Sequence, residues 1–344
     1  EAARSAPDDT WGELLADLRQ QFRRANYDID GARGLLVYSS DPSEATIVRL
    51  PCVVDQHVAF DCSVHVRPLV EALPGDRWCV LLVNRRSARI MLGDAGEFEL
   101  LTSFTDDVEG QHSMGGLAQA RMERNIEEQA QRHVRETLAL IEQLHQGGQW
   151  QHLLIAAPDE LHGYIEHALP DPSRRDFVRW ISCDVEHADT AEIVSHAREC
   201  ITAYERDGML RALAILEQNA GQNRRAALGI DATLRALNEQ RVDTVLIAEG
   251  FRRPGAICDH GDWLAPGSSA CPVHGRRMRP AADVVEAAVE AAVRAGSRIV
   301  TVLRHEEGDL GLDSREFQRL TDMGQIAAIT RFELDDTAVP DAWE

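Results

Sequence analysis

The chain has 344 residues, a length that allows two or three domains. Its 36 basic residues are outnumbered by 57 acidic ones, and the net charge of −21 argues against a protein that coats nucleic acid or anionic membranes nonspecifically. All the basic residues are arginines. The absence of lysine excludes Walker-A, Schiff-base and kinase-type lysine chemistry, because a guanidinium cannot replace the amine.

Cysteine usage and the N-terminal sequence both bear on where the protein resides. The seven cysteines are odd in number and scattered in apolar contexts, which favours reduced thiols over a disulfide framework. The first residues are acidic and polar and do not resemble a signal peptide, and no apolar run approaches the ~20 residues needed to span a bilayer. We expect a cytoplasmic protein that makes no contact with membranes.

Hydrophobic periodicity predicts the elements in chain order. The first part contains one helix and three strands, over 10–24, 34–38, 46–54 and 57–68. A helix and a turn lead to an apolar strand over 79–83, and strands over 88–92 and about 97–104 complete the start of a β-meander. A loop over 105–118 precedes a long, charge-laced helix over 118–146.

The remaining sequence alternates strands and helices, which predicts an α/β protein with a partly parallel sheet. The predicted strands cover 152–157, 176–182, 244–248, 298–303 and 326–332. The predicted helices cover 158–168, 189–220, 226–240, 281–295 and 314–323, with an irregular stretch over 250–280. Asn219–Arg225 breaks the pattern, and we predict three domains, over 1–76, 77–222 and 223–344.

The loop before the long helix contains a candidate nucleophile. His112, Ser113 and Met114 lie between Gln111 and Gly115, an arrangement close to the Gly-x-Ser-x-Gly elbow of serine hydrolases. However, Gln111 replaces the first glycine, and the segment follows an acidic loop instead of a central apolar strand. A Ser113 esterase is therefore the weakest of the functional alternatives.

The same loop continues as Gly115-Gly116-Leu117-Ala118-Gln119 into the helix. With the strands CVLLVNRRSARIMLG and the arginines that follow, this segment resembles the central domain of the archaeal and eukaryotic class-1 release factors. The resemblance is to the bacterial, Pelota-related branch of that family and to the Vms-type hydrolases. These bacterial relatives and the Vms-type hydrolases have Gly-x-x-Gln where true release factors have Gly-Gly-Gln. Gly116–Gln119 fits the first form.

The resemblance implies a small N-terminal α+β domain, a ribonuclease-H-like central domain and an L7Ae-like α/β C-terminal domain. It also implies peptidyl-tRNA hydrolysis in ribosome rescue, with the large ribosomal subunit and peptidyl-tRNA as partners and with no DNA. Gln119 would position the attacking water, and Gly115 and Gly116 would let the backbone enter a narrow pocket. Gln111, in Glu109-Gly110-Gln111, is the alternative catalytic glutamine.

Arginines follow the candidate glutamine on the long helix. Arg121 and Arg124, and further along Arg132 and Arg135, can contact RNA phosphates with their forked donors. The helix also carries several glutamates, so the same arginines could instead form ion pairs at i,i+4 spacing.

Residues 258–275 contain a candidate zinc knuckle. Cys271 and His274 lie three apart before a glycine, a spacing typical of zinc ligands, and Cys258 and His260 form an irregular first half. Asp259 or Asp262 could compete with His260. The alternative is a plain loop with buried thiols. We expect no nucleotide or organic cofactor.

Three further functional alternatives stay open besides peptidyl-tRNA hydrolysis. The chain could be a non-catalytic Pelota-like ribosome-binding rescue factor, or a tRNA 3′-end nuclease, or the Ser113 esterase. Analysis of the tRNA product separates the peptidyl-tRNA hydrolase from the nuclease, because ester hydrolysis leaves the 3′-CCA end intact and nucleolysis does not.

Overall fold

The computed structural model describes Gly12, Leu15, Ala16 and the ranges 34–41, 44–50, 65–72, 76–93, 98–105, 117–169, 178–260, 263–267, 270–304 and 311–333. The chain divides into two compact units. The central unit covers 74–203, and the terminal unit combines residues up to 73 with those from 204 onward. The division into domains over 1–76, 77–222 and 223–344 stays a prediction.

The first elements belong to the terminal unit. Strands β1 (Gly34–Asp41) and β2 (Glu44–Leu50) form an antiparallel hairpin with Gly34 opposite Leu50. The short helix α1 (Arg67–Ala72) follows. A strand was predicted over 57–68; residues 57–64 lie outside the described ranges, and at Arg67 the prediction is wrong because the helix begins there.

The central unit contains a mixed five-stranded sheet in the order β5-β4-β3-β6-β7. Its strands are β3 (Trp78–Val83), β4 (Ser87–Gly93), β5 (Phe98–Thr105), β6 (His152–Ala156) and β7 (Val178–Trp180). The strands β3, β4 and β5 form the predicted antiparallel meander, while β3, β6 and β7 run parallel. All six residues of β3 are buried, as the continuous apolar sequence of a central strand requires.

Two helices pack on one face of this sheet. The first is α2 (Leu117–Gln146), a 30-residue helix, and the second is α3 (Asp159–Ala168). Alternate residues of the strands, such as Leu81 and Ile155, form one buried cluster with Leu138 of α2 and Ile165 of α3. The α2 apolar stripe recurs at helical spacing, so the long amphipathic helix predicted over 118–146 is confirmed.

The helix α4 spans Thr190–Gly221, and its part after Tyr204 belongs to the terminal unit. That unit contains a four-stranded sheet in the order β13-β9-β14-β8. The strands are β8 (Ala226–Leu228), β9 (Val242–Ala248), β13 (Arg298–Val302) and β14 (Ile326–Thr330). The helices are α5 (Gly229–Asn238), α6 (Val284–Arg294) and α7 (Ser314–Asp322).

Both faces of the terminal sheet are covered. Val245 and Ile247 of β9 join the buried cluster of α5 and α6, whereas Leu246 and Ala248 join the cluster of α4 and α7. This alternation places the sheet between two helical layers, because successive side chains of a strand point to opposite faces.

A second, smaller sheet lies within the stretch predicted to be irregular. It pairs β11 (Leu264–Ala265), β10 (Gly255–Ile257) and β12 (Arg279–Ala281) in that antiparallel order. Gly255 permits this packing, because a Cβ there would lie 2.6 Å from both the Ala265 carbonyl oxygen and the Val284 Cβ. The loops at one end of β10 and β12 carry the candidate knuckle.

A buried carboxylate fixes α1 to the rest of the terminal unit. One Glu286 oxygen on α6 accepts hydrogen bonds from the backbone N–H groups of Val66 and Arg67, at 2.5 and 3.0 Å. His65 lies 3.3 Å from the other oxygen. The buried Arg67 side chain donates to the Phe251 carbonyl at 2.6 Å. The Glu286 oxygen is thus the acceptor for backbone N–H groups at the start of α1, which have no carbonyl partner within the helix.

The mixed α/β class predicted from the sequence is confirmed. The strand β8, predicted to be part of a helix over 226–240, and the three short strands of the small sheet were missed. Among the described residues, no helix is both long and apolar enough to cross a membrane.

Candidate functional site

The candidate catalytic glutamine lies at the start of the longest helix of the central unit. The backbone of Gln119 belongs to the first turn of α2, which begins at Leu117. Gly115, Gly116 and the alternative Gln111 lie outside the described residues. The same holds for His112 and Ser113 of the serine-hydrolase alternative.

The arginines that follow Gln119 lie on this helix as predicted. Arg121 falls within α2, and Arg124 is exposed one turn further on. Arg132 and Arg135 are exposed as well. In the described part of the chain, none of Arg124, Arg132 and Arg135 has a carboxylate within ion-pair distance, and the nearby Glu127 contacts Arg85 at 3.8 Å. The alternative of ion pairs along the helix is thus not seen for these three arginines.

The candidate knuckle brings three of its four predicted ligands together. The donor atoms of Cys258, Cys271 and His274 lie within 4.8 Å of one another. His274 Nδ1 is 3.5 Å from each of the two sulfur atoms. Both thiols are buried, whereas His274 is exposed. Two thiols and one imidazole are ligands that Zn²⁺ prefers, so this donor set fits the metal.

Local backbone contacts place these ligands. The Cys271 N–H donates to the Arg276 carbonyl and the Gly275 N–H donates to the Cys271 carbonyl, both at 2.7 Å, and the two bonds close a tight turn. Gly275 has a φ of 64°, a left-handed conformation that favours glycine. On the other side, the Cys258 N–H donates to the Trp263 carbonyl at 2.9 Å.

His260, the fourth predicted ligand, is not in this cluster. Its Nε2 accepts from the Arg276 guanidinium at 2.8 Å, and its ring centre is 6.1 Å from that of His274. Asp259 is also engaged, since its carboxylate accepts from Arg279 at 3.1 Å. Asp262 lies outside the described residues. A four-ligand site with His260 therefore requires its ring to leave Arg276.

The pKa values of the two knuckle thiols shift in opposite directions, upward for Cys258 and downward for Cys271. Burial raises the pKa of Cys271, but hydrogen bonds from the backbone and ring of His274 and from the Val273 N–H outweigh it and bring the pKa to about 7. A lowered pKa favours the thiolate, which is the form that binds a metal.

A cleft of about 290 Å³ lies where the parallel strands β3, β6 and β7 end. Asn84 and Glu186 line it and are joined by a 3.0 Å hydrogen bond. Asp184 also lines it, and backbone N–H groups of His187 and Glu186 hold the pKa of its carboxyl below the usual range. This cleft was not predicted from the sequence, although polar residues after parallel strands are a signal for one.

Comparison with known proteins identifies the segment that holds Gln119. Residues 65–201 match the model of the bacterial archaeo-eukaryotic release factor family 10. This range includes the long helix and the central sheet, but it ends well before the knuckle. No curated protein matches the sequence.

Several solved structures resemble the chain. Archaeal Pelota, from a model of ribosome-bound archaeal Pelota and ABCE1, is 14% identical, with 85% of this chain and 70% of that chain covered and a TM-score of 0.48. Pelota from Archaeoglobus fulgidus is 12% identical. The match covers 78% of this chain and 68% of that chain, with a TM-score of 0.34.

Dom34 from S. cerevisiae, described as a translation termination-like factor involved in RNA quality control, is 8% identical. The match covers 75% of this chain and 63% of Dom34, with a TM-score of 0.43. With TM-scores below 0.5, these likenesses add no weight to the family match. The segment 65–201 is thus similar to the bacterial archaeo-eukaryotic release factor family 10, and the match covers less than half of the chain.

Proposed function

We propose that the chain is a ribosome-associated rescue factor that hydrolyses peptidyl-tRNA. The observation that carries the proposal is the family match over 65–201, which includes the glycine-rich loop and Gln119 at the start of α2. The partners are the large ribosomal subunit and the peptidyl-tRNA bound to it, and the reaction takes place in the cytoplasm.

The proposed reaction is attack of water on the ester carbonyl that joins the peptide to the tRNA 3′ adenosine. The carbonyl–oxygen bond to the ribose breaks, and the products are a free peptide carboxylate and a tRNA with an intact 3′ hydroxyl. Gln119 orients the water by hydrogen bonding. A neutral amide suits this role because it carries no charge for RNA phosphates to attract, and positioning supplies most of the acceleration.

Peptide release from ribosome-bound peptidyl-tRNA tests the assignment of Gln119. We expect Gln119→Ala to abolish release while ribosome binding persists. Gln129→Ala, ten residues further along the same helix, is the matched control and should release peptide like the unmodified protein. Unchanged release by Gln119→Ala would transfer the role to Gln111, to be tested by Gln111→Ala.

The same assay addresses the non-catalytic alternative, which the family match supports equally well. A factor that binds ribosomes but releases no peptide would be a Pelota-like rescue factor without hydrolase activity. Loss of the 3′-CCA end from the tRNA would instead indicate a nuclease.

We further propose that Cys258, Cys271 and His274 hold a structural Zn²⁺, with His260 as the fourth ligand after it leaves Arg276. The support is the convergence of three donor atoms within 4.8 Å at the end of a small sheet that has little core of its own. Bound zinc would fix the two loops to each other.

Metal analysis of protein purified without chelator tests this site. We expect one zinc per chain and its loss in Cys271→Ser. Cys200→Ser, a change in a free cysteine that belongs to the central unit, should keep the metal. Absence of zinc, together with unchanged thermal stability of Cys271→Ser, would refute the proposal.

A further inference from the structure

The described packing of α2 begins well after the turn that carries Gln119. Among the described side chains of this helix, the first buried one is Ala130, and the exposed Arg124 and Glu127 precede it. Gln119 lies eleven residues before Ala130, which corresponds to about 16 Å along the helix axis. Helix ends fray unless tertiary contacts hold them. The direction of the first turns of α2 therefore depends on the contacts made where its packing begins.

An arginine in the turn between β3 and β4 makes such a contact. Arg85 Nη2 lies 3.8 Å from Glu127 of α2, and Arg85 Nε lies 3.1 Å from Glu160 of α3. One turn further along the two helices, the Tyr164 hydroxyl of α3 donates to the Gln131 carbonyl of α2 at 3.0 Å. The Arg85 bridge, defined as Arg85 with Glu127 and Glu160, thus links the β3–β4 turn to both helices on this face of the sheet.

The turn that carries Arg85 is itself held in place. The buried Asn84 side chain accepts from the backbone N–H groups of Arg86 and Ser87, at 2.8 and 2.7 Å. The same side chain donates to Glu186 at 3.0 Å. Arg85 therefore extends from a fixed backbone, which is what a residue needs in order to set the direction of a neighbouring helix.

A small change of direction at Glu127 becomes large at Gln119. The two residues are eight positions apart, or about 12 Å along the helix. A tilt of about 5° at Glu127 would move the backbone of Gln119 by about 1 Å. Where catalysis depends on positioning, a displacement of about 1 Å can cost ~100-fold in rate. Exposed ion pairs add little to overall stability, so the Arg85 bridge matters for the direction of α2 more than for folding.

We propose that Arg85 is a positioning residue for peptidyl-tRNA hydrolysis, because it holds the start of α2 and thereby places Gln119. The catalytic role of Gln119 rests on the proposed function, whereas the contacts of Arg85 with the two helices do not depend on it. A guanidinium suits this task because its planar fork faces two carboxylates at once, which an amide or a single ammonium group does less well.

Peptide release from stalled ribosomes that carry peptidyl-tRNA, measured against protein concentration, tests the proposal. Arg85→Gln should lower the rate constant at saturation by about ten-fold, less than a permanent displacement of about 1 Å would, because the helix still samples the productive direction. The concentration for half-maximal release and the midpoint of urea unfolding should stay the same. Arg86→Gln, in the exposed neighbouring arginine of the same turn, is the matched control and should behave like the unmodified chain.

A double variant and hydrogen exchange separate positioning from a general structural role. If Arg85 acts on α2 through Glu127, Glu127→Gln should reproduce the loss, and Arg85→Gln/Glu127→Gln should lose no more than either single variant. Amides over 121–129 should exchange faster in Arg85→Gln, while those of the buried Val134 and Leu138 keep their protection. General damage to the fold would instead speed exchange along the whole helix.

Two results would overturn the positioning role while the proposed function stands. They are release by Arg85→Gln as fast as by Arg86→Gln, and additive losses in the double variant. A lower urea midpoint with faster exchange along all of α2 would assign Arg85 to folding and would also overturn the proposal. The proposed function fails at a different point, namely when the unmodified chain binds ribosomes but releases no peptide, and the positioning role then fails with it.

Discussion

Glu286 connects two parts of the terminal unit that are more than 200 residues apart in sequence. It is 8% exposed, and one of its oxygens accepts both N–H groups at the start of α1. Burial raises the pKa of Glu286, and the N–H groups of Arg67 and Val66 only partly offset this. The acceptor oxygen, more than the charge, is thus what stabilises the contact.

Replacement of Glu286 by alanine leaves these two backbone donors without a partner. Each buried donor that loses its partner costs about 1–3 kcal/mol, so we expect Glu286→Ala, which leaves two such donors, to lower the free energy of unfolding by about 2–6 kcal/mol. Glu286→Gln keeps a carbonyl oxygen in the same place. It should cost only about 1 kcal/mol, because the hydrogen bonds become those of a neutral acceptor.

Glu290→Ala is the matched control, since Glu290 lies one turn further along α6 and its pair with Arg294 is largely exposed. Surface pairs contribute about 0–1 kcal/mol, so this variant should be nearly neutral. Urea unfolding gives the free energies, and hydrogen exchange at Val66 and Arg67 shows whether α1 opens by itself. Equal stability of the two alanine variants, with unchanged exchange at these amides, would refute the reasoning.

Two further predictions concern stability. Ile155 is fully buried in the core of the central unit, so Ile155→Ala should lower its unfolding free energy by about 2–5 kcal/mol in urea titrations. Asp313 caps α7, and backbone N–H groups, chiefly that of Glu316, lower its pKa. A depressed folded pKa gives stability that is present above the unfolded value near ~4 and lost as pH falls through the folded value. The stability advantage over Asp313→Ala should therefore be constant at neutral pH and shrink in acid; a difference that grows in acid would contradict the assigned shift.

Elements with long, regular patterns could be predicted from the sequence. The apolar run that became β3 and the amphipathic stripe of α2 both contain enough residues for a period to show. The ligand spacing of Cys271 and His274 is also a local signal, and the structure brings their donor atoms together.

Features that depend on distant residues could not be predicted. A helix was predicted where α1 lies, but the contact of its N-terminal N–H groups with Glu286, far along the chain, has no local signal. The strands β10 to β12 have two or three residues each, too few for any periodicity. His260 has the spacing of a ligand, but its contact with Arg276 became visible only in three dimensions.

The central claim is that water, positioned by Gln119, cleaves the peptidyl-tRNA ester. The most direct measurement is peptide release from stalled ribosomes in water labelled with oxygen-18, with mass analysis of both products. The account predicts label in the carboxylate of the released peptide, a tRNA with an intact 3′-CCA end, and neither product with Gln119→Ala. Label in a tRNA phosphate, or no release while the protein remains bound to the ribosome, would contradict it.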